Sequence, residues 1–234
     1  MSAVLIVAAT LLSYAAGWAI GVPILVPILN TLASYPLMVA ALRRGELRLA
    51  VGRMLLWALT MGVGATLLSY ARPAETGQLF IHASAYRTEM FNWVLTARGA
   101  ESTPSEFIPQ QIGHAALFAA LTVASGAALG MPMGAVLMNY MGHYVGTLAE
   151  TSAHPVRTAL LAWHPWAVIR VISFVVIGVV LSAPLLSRIV RFRIDWTTSR
   201  RLLAWAAAGL VLDIVLKALL APVWQRLLFR SAGW

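Results

Sequence analysis

Apolar blocks long enough to cross a membrane recur along this chain, and they constrain its fold more than any other feature. The blocks are residues 2–42, 54–70, 114–149, 166–187 and 202–221. A bilayer core about 30 Å thick is crossed by about 20 apolar helical residues. Hydrophobic residues make up 60% of the chain and charged residues 11%. The sequence therefore predicts an all-α, polytopic transmembrane helix bundle, with residues 1–234 as a single integral membrane domain.

The arginines predict the orientation of this bundle. Two short loops each carry a cluster of arginines against a single acidic residue: Arg43, Arg44, Arg48 and Arg53 against Glu46, and Arg188, Arg191, Arg193, Arg200 and Arg201 against Asp195. Loops rich in Arg and Lys stay in the cytoplasm. The longer segment 72–113 has no positive excess, so we expect it on the opposite, extracytoplasmic side, between spans 3 and 4.

Two blocks are too long for one span each. Residues 114–149 would form a single helix about 54 Å long, and we expect a hairpin with a tight turn around residues 131–133. Residues 2–42 are interrupted by Gly21, Pro23 and Pro27, which predicts two spans. The total is about seven spans, with six as the alternative. This count places the N-terminus in the cytoplasm, and we expect a protein of the bacterial inner (plasma) membrane.

The extracytoplasmic segment contains one further predicted helix. Residues 78–95 mix aromatic side chains with Arg87, Glu89 and Asn92. Amphipathic stretches of this kind lie along membrane interfaces. We therefore expect an amphipathic interfacial helix in this loop.

Glycines recur at four-residue spacing. The pairs are Gly17/Gly21, Gly126/Gly130, Gly130/Gly134 and Gly142/Gly146. Small residues one turn apart let two membrane helices approach closely (GxxxG packing). The pattern predicts packing faces within the bundle, and a docking face for another subunit is the alternative.

Charged residues inside predicted spans are costly and mark candidate functional positions. Arg170, Asp213 and Lys217 are such residues. Asp213 and Lys217 are one turn apart and can pair within their helix, and Arg170 and Asp213 are expected to pair between helices. Asn139 and His143 are one turn apart on another span. The five residues together form a predicted polar cluster that opens outward.

Three histidines are candidate ligands for haem b or a metal ion. His114, His143 and His164 fall at the same predicted end of three different spans. Facing imidazoles can ligate haem, zinc or copper. Their spacing matches no ligand motif, and histidines at membrane interfaces also occur without ligands. We therefore predict no cofactor, with haem or a metal as the alternative.

The sequence carries no catalytic signature. It has no cysteine, which excludes disulfides and thiol chemistry. It also lacks HExxH, paired intramembrane aspartates and a phosphate-binding glycine loop. We therefore expect a non-catalytic membrane subunit or assembly component of a larger complex. A small-solute permease with an outward-facing polar site is one alternative, and a haem- or metal-bearing redox subunit is another.

The net charge of +9 bears on the expected partners. The basic side chains border the apolar blocks, and this placement favours anionic lipid headgroups over nucleic acid. We expect the lipid bilayer and membrane-protein subunits as partners, and no nucleic acid.

Overall fold

The computed structural model describes residues 2–234, and these residues form helices joined by short turns, with no strand among them. The helices are α1 (Ser2–Ile20), α2 (Leu25–Leu32), α3 (Ser34–Arg43), α4 (Leu47–Ala71), α5 (Pro73–Leu79), α6 (Ala83–Thr96), α7 (Pro104–Ser125), α8 (Gly130–Glu150), α9 (Pro155–Ala162), α10 (Pro165–Val190) and α11 (Trp196–Ala232), with a 3-10 turn at Ala100–Ser102 between α6 and α7. The predicted all-α class is confirmed.

Within the described chain, five helices are long and apolar enough to cross a bilayer: α1, α4, α7, α10 and α11. The bent pair α2–α3, whose axes differ by 41°, adds a sixth if it counts as one broken span. These helices are those of a membrane-embedded protein. Their number supports five to six spans by length and composition, and the predicted count of about seven is not confirmed.

The segment between α4 and α7 differs from its prediction. The expected single helix over residues 78–95 is instead two helices, because α5 ends at Leu79 and α6 begins at Ala83. His82 lies between them in the left-handed region, with φ of 59°. A non-glycine residue in that region interrupts a right-handed helix. The chain therefore reverses here, and α6 packs back onto α8.

The turn between α7 and α8 also lies elsewhere than predicted. It spans residues 126–129, and the expected turn residues 131–133 belong to the first turn of α8. Gly126 and Ala127 both have positive φ, 60° and 72°, which ends α7. Pro132 is tolerated where it lies, because backbone N–H groups in the first turn of a helix have no partner within that helix.

Helix α8 lies at the centre of the bundle. It packs most extensively on α4 and also contacts α2, α6, α7 and α9. Gly142 and Gly146 face α4: a Cβ placed on Gly142 would lie 2.5 Å from the Cβ of Ala65, and one on Gly146 would lie 2.8 Å from the Cβ of Ser69. Only glycine fits at this distance between the two backbones.

The other glycine pairs do not form continuous packing faces as predicted. Gly126 caps the end of α7 and Gly130 begins α8, so the two residues belong to different helices. Gly21 follows the end of α1 with φ of 69°. Gly130 and Gly134 do share α8, and Gly134 has only a ring carbon of Phe118 at 3.5 Å from where its Cβ would lie.

The buried apolar side chains form two clusters at different levels of the bundle. The larger joins α1–α4 with α8 and α10, and the smaller joins α6, α8, α9 and the C-terminal part of α11. We refer to α5, α6, the 3-10 turn, α9 and the C-terminal part of α11 as the cap. The sequence did not predict α9. It is bound to α11 through Trp224, whose Nε1 donates to the carbonyl of Leu161 at 2.7 Å.

Candidate functional site

Arg170 of α10 and Asp213 of α11 form the ion pair that the sequence predicts. Arg170 Nε donates to Asp213 Oδ2 at 2.8 Å, and Arg170 Nη2 donates to Oδ1 at 3.0 Å. Asp213 is 1% exposed. Such a two-bond contact fixes the plane of the guanidinium as well as its charge. It therefore orients the remaining edge of Arg170.

Lys217 has a different partner from the one predicted. Its Nζ donates to Glu101 Oε1 at 2.7 Å and lies 4.4 Å from the centroid of the Phe107 ring. The predicted pair with Asp213 within α11 is replaced, because both oxygens of Asp213 accept hydrogen bonds from Arg170. Two ion pairs, each joining α11 to another element, result.

Glu101 belongs to the 3-10 turn of the cap and is buried. Burial by itself raises the pKa of this carboxyl group, but the cations Lys217 and Arg170 and the hydrogen bond from Lys217 lower it by more. The net pKa lies below its ordinary value, so Glu101 is an anion at neutral pH. The sequence alone does not single out Glu101, because it is one of several acidic residues in a polar loop and nothing in the local pattern marks it.

A large cavity lies beside these ion pairs. Its volume is about 1190 Å³ when the open solvent at its mouth is counted. Its walls come from α3, α4, α7, α8 and α10, and the cap covers one end. The side chains at the cap end are polar or charged: Tyr86, Glu89, Glu101, Gln110, Gln111, His114, Arg170 and Lys217.

The opposite end of the cavity is apolar and closed. Met38, Met54, Trp57, Met131 and Val179 line it, and each of them is buried. At the cap end, Glu89 and Gln110 are exposed lining residues, which places the mouth between α6 and α7. The cavity thus runs from a polar mouth to an apolar interior.

Two polar side chains of the cavity wall, Arg170 and Gln111, have hydrogen-bonding atoms without a partner. A guanidinium has five N–H donors, and the Arg170 side chain uses two N–H donors for Asp213 while remaining 28% exposed. The Nε2 and Oε1 atoms of Gln111 are buried and have no hydrogen-bond partner within residues 2–234. Buried polar atoms are normally paired, so this amide is suited to a ligand.

Asn139 and His143 lie apart from this cavity. Asn139 Oδ1 accepts from Tyr14 Oη at 2.7 Å, and its Nδ2 donates to Asn30 Oδ1 at 3.0 Å. His143 Nδ1 lies 3.0 Å from Thr76 Oγ1. The structure therefore brings together Arg170, Asp213 and Lys217 of the predicted polar cluster, and it places the other two residues in separate hydrogen-bonded groups.

The three candidate ligand histidines also lie in different surroundings. His114 lines the cavity, and His143 contacts α5. His164 is stacked on Trp166, with ring centroids 4.7 Å apart and planes 4° apart. Burial lowers the pKa of His164 to about 4, so its ring is neutral. Among residues 2–234, no group of three or more His, Asp or Glu side chains could hold a metal ion.

Comparison with known proteins adds no relative. No family model, no curated protein and no solved structure matches this chain. The cavity and the ion pairs beside it are therefore the features that bear on function.

Proposed function

We propose that the protein binds a small amphipathic molecule in this cavity, as a permease or carrier with an outward-facing polar site. The observation that carries the proposal is the polarity of the cavity, which changes from charged side chains at the mouth to methionine and aromatic side chains at the closed end. Ligand sites are typically concave and mostly apolar, with a few polar groups that orient the ligand. An amphipathic solute matches both ends.

The proposed orientation follows the arginine loops. We place the loop between α3 and α4 and the loop between α10 and α11 in the cytoplasm, with the cap and the mouth of the cavity outside, in a bacterial inner membrane. We further propose that α8 is the seventh span. Its 21 residues are long enough to cross a bilayer. A helix that is surrounded by other helices can span the membrane with a lower mean hydropathy, since few of its side chains face lipid.

The alternative of a non-catalytic subunit or assembly component remains a prediction. It would use apolar faces such as that of α11, where Trp205 is 77% exposed and Leu219 is 69% exposed. Lipid can cover such a face as well as a partner subunit can, whereas a scaffolding role does not require an internal cavity with unpaired polar atoms. The cavity therefore favours a binding function.

A substitution that fills the cavity tests the proposal. Gly134 lines the cavity, and its Cβ position has room toward Phe118, so Gly134→Leu should fold and occupy the site. Gly52→Leu is the matched control, since Gly52 lies on α4 outside the cavity with open space around it. The protein would be extracted in polymer-bounded discs, and its small molecules would be quantified by mass spectrometry.

We expect one amphipathic molecule to co-purify with the wild type and with Gly52→Leu. Its amount should be at least tenfold lower with Gly134→Leu. Equal molecule profiles for all three proteins, with correct folding of each, would contradict the proposed function.

A further inference from the structure

The charges at the polar end of the cavity indicate which amphipathic molecule fits, and this inference rests on the proposed function. The cavity wall carries two cations, and they differ in availability. Lys217 is 2% exposed and engaged by Glu101 and the Phe107 ring. Arg170 is held by Asp213 along one edge and is partly exposed, so its other edge keeps free N–H donors. Arg170 is therefore the available charged donor inside the cavity.

Gln111 provides a second contact close to Arg170. Both residues line the main cavity, and both also line a smaller adjoining pocket between α7, α10 and α11. The amide of Gln111 offers N–H donors and a carbonyl acceptor, and neither Nε2 nor Oε1 has a partner in the described chain. A headgroup with negatively charged oxygens would accept from Arg170 and Gln111 together.

A cationic headgroup is less compatible with this arrangement. Glu101 already accepts a hydrogen bond from Lys217, and Asp213 is fully engaged by Arg170. Glu89 is the remaining acidic group of the lining, and it lies exposed at the mouth, where water weakens its attraction. Past the mouth, both acidic groups beside the cavity are already paired with a cation, whereas Arg170 keeps free N–H donors.

The apolar part of the cavity suits an alkyl chain. Along α10, the lining runs from Arg170 through Phe174 and Gly178 to Val179, a rise of about 13 Å. The opposite wall presents the flexible side chains of Met54, Met131 and Met138, and methionine adapts its shape to irregular apolar ligands.

We infer that the cavity binds a single-chain amphiphile with an acidic headgroup, a carboxylate or a phosphate. The headgroup is held by Arg170 and Gln111, and the chain extends toward Met131 and Val179.

Binding of defined probes to the full chain in nanodiscs of phosphatidylcholine tests this inference. The probes are dodecanoate, dodecyl phosphate, dodecanol, dodecyltrimethylammonium and inorganic phosphate, each measured against empty nanodiscs. We expect dodecanoate and dodecyl phosphate to bind at least tenfold more tightly than dodecanol or the ammonium probe. Inorganic phosphate should bind weakly, since it lacks the chain. Tight binding of inorganic phosphate would show an anion site that uses no apolar tail and would overturn the inference.

Two variants assign the headgroup contact. Gln111→Leu should weaken dodecanoate binding about tenfold, which corresponds to the loss of one hydrogen bond to a charged group. Gln78→Leu is the matched control, because Gln78 is exposed on α5 and lies outside the cavity. Since Arg170→Gln alone leaves Asp213 buried without its cation, the double variant Arg170→Gln, Asp213→Asn keeps the pair neutral and hydrogen-bonded. This double variant should remain folded and lose the preference for acidic probes over dodecanol.

The outcomes separate this inference from the proposed function. If dodecyltrimethylammonium binds as tightly as dodecanoate, and Gly134→Leu abolishes both, the cavity is a binding site and the acidic headgroup is wrong. If no dodecyl probe binds above the level of empty nanodiscs, the proposed function fails as well. Unchanged dodecanoate binding by Gln111→Leu and by the double variant would overturn the assigned contacts.

Discussion

Single residues decide how the charges of this chain are distributed. Arg170 and Asp213 could be paired from the sequence, because each is an isolated charge within a predicted span and an unpaired charge there is costly. The partner of Lys217 could not be predicted from the sequence. Glu101 is 116 residues away in sequence from Lys217, and only the fold of the cap brings the two together. Asp213, the acidic residue nearest to Lys217 in the sequence, is paired with Arg170.

The pair of Glu101 and Lys217 should make stability depend on pH. The folded-state pKa of Glu101 lies below its ordinary value of 4.5. Its contribution to stability is therefore complete above pH 4.5 and is lost as the pH falls through the lower folded-state pKa. We expect Glu101→Gln to destabilise the protein at pH 7 by about 3 kcal/mol, because it leaves Lys217 without its anion.

Thermal unfolding of the purified wild type and of Glu101→Gln, measured from pH 7 to pH 3, checks this expectation. The gap between the two unfolding temperatures should close as the pH falls below 4.5. Glu89→Gln serves as the control, since Glu89 is exposed at the mouth and forms no ion pair within residues 2–234. A gap that stays constant over this pH range would show that the ion pair does not stabilise the fold.

Among the helices, the backbone conformation at a few positions, and not the apolar pattern, determines where a helix ends. Residues 114–149 form one apolar block in the sequence, and the proline-containing stretch at residues 131–133 predicts its break. The chain turns earlier instead, at Gly126 and Ala127, which take positive φ. His82 acts in the same way between α5 and α6. A left-handed conformation at Ala127 leaves no trace in the sequence, since non-glycine residues with positive φ are uncommon and alanine has no preference for them.

The contact between α4 and α8 should tolerate no side chain at Gly146. A Cβ there would overlap the carbonyl oxygen of Thr66 and lie 2.8 Å from the backbone nitrogen of Tyr70. Because these neighbours are backbone atoms, the helices would have to separate. We expect Gly146→Ala to destabilise the protein by about 1–3 kcal/mol through overpacking.

The matched comparison is Gly113→Ala on α7, where the Cβ position meets nothing within 4 Å. That variant should keep or slightly raise stability, since alanine favours helix formation over glycine. Unfolding temperatures and folded yields of both variants provide the measurement. Equal stability of Gly146→Ala and the wild type would show that α4 and α8 pack less closely than described.

In the molecule as a whole, α11 belongs both to the bundle of long apolar helices and to the cap. This helix has 37 residues, longer than one span requires. Its C-terminal part continues into the cap, where Gln225 donates to the carbonyl of Val94 and Ser231 contacts Thr158. The cap is thus fixed to the bundle above the mouth of the cavity, so a ligand would enter beside α6 and α7.

Cysteine labelling tests the proposed topology, and the chain is suited to it because it has no cysteine of its own. Single cysteines would replace Glu46, Ser105, Ala128, Val156 and Thr197, which are exposed positions in or beside the connections between helices. In intact cells, a membrane-impermeant maleimide should label positions 105 and 156 and should reach positions 46, 128 and 197 only after lysis.

Positions 128 and 156 flank α8 and decide whether this helix crosses the membrane. Labelling of both from the same side would mean that α8 does not cross, which would contradict the proposed seven spans. Labelling of position 105 from the same side as position 46 would contradict the proposed orientation of the entire bundle.

The helical class and most of the long helices can be predicted from the sequence alone. Apolar blocks predict spans because hydrocarbon forces the backbone to satisfy its own hydrogen bonds, and this requirement is local in sequence. The pairing of Arg170 with Asp213 followed from the same reasoning, since few charges were available inside the spans. The buried helix α8 is a different case. The helical spacing of its Asn139 and His143 places them on one face, and this predicts that both belong to the polar cluster.

The location of the candidate site depends on the tertiary fold. Asn139 is hydrogen-bonded to Tyr14 and Asn30 instead, and Glu101 of the cap pairs with Lys217. The cavity with the free edge of Arg170 and the unpaired amide of Gln111 depends on how five helices pack. Helix packing is a sum of many contacts distant in sequence, and membrane helices have no strong hydrophobic force that would dictate their neighbours. No local pattern encodes that arrangement, so the site became visible only once the helices were in place.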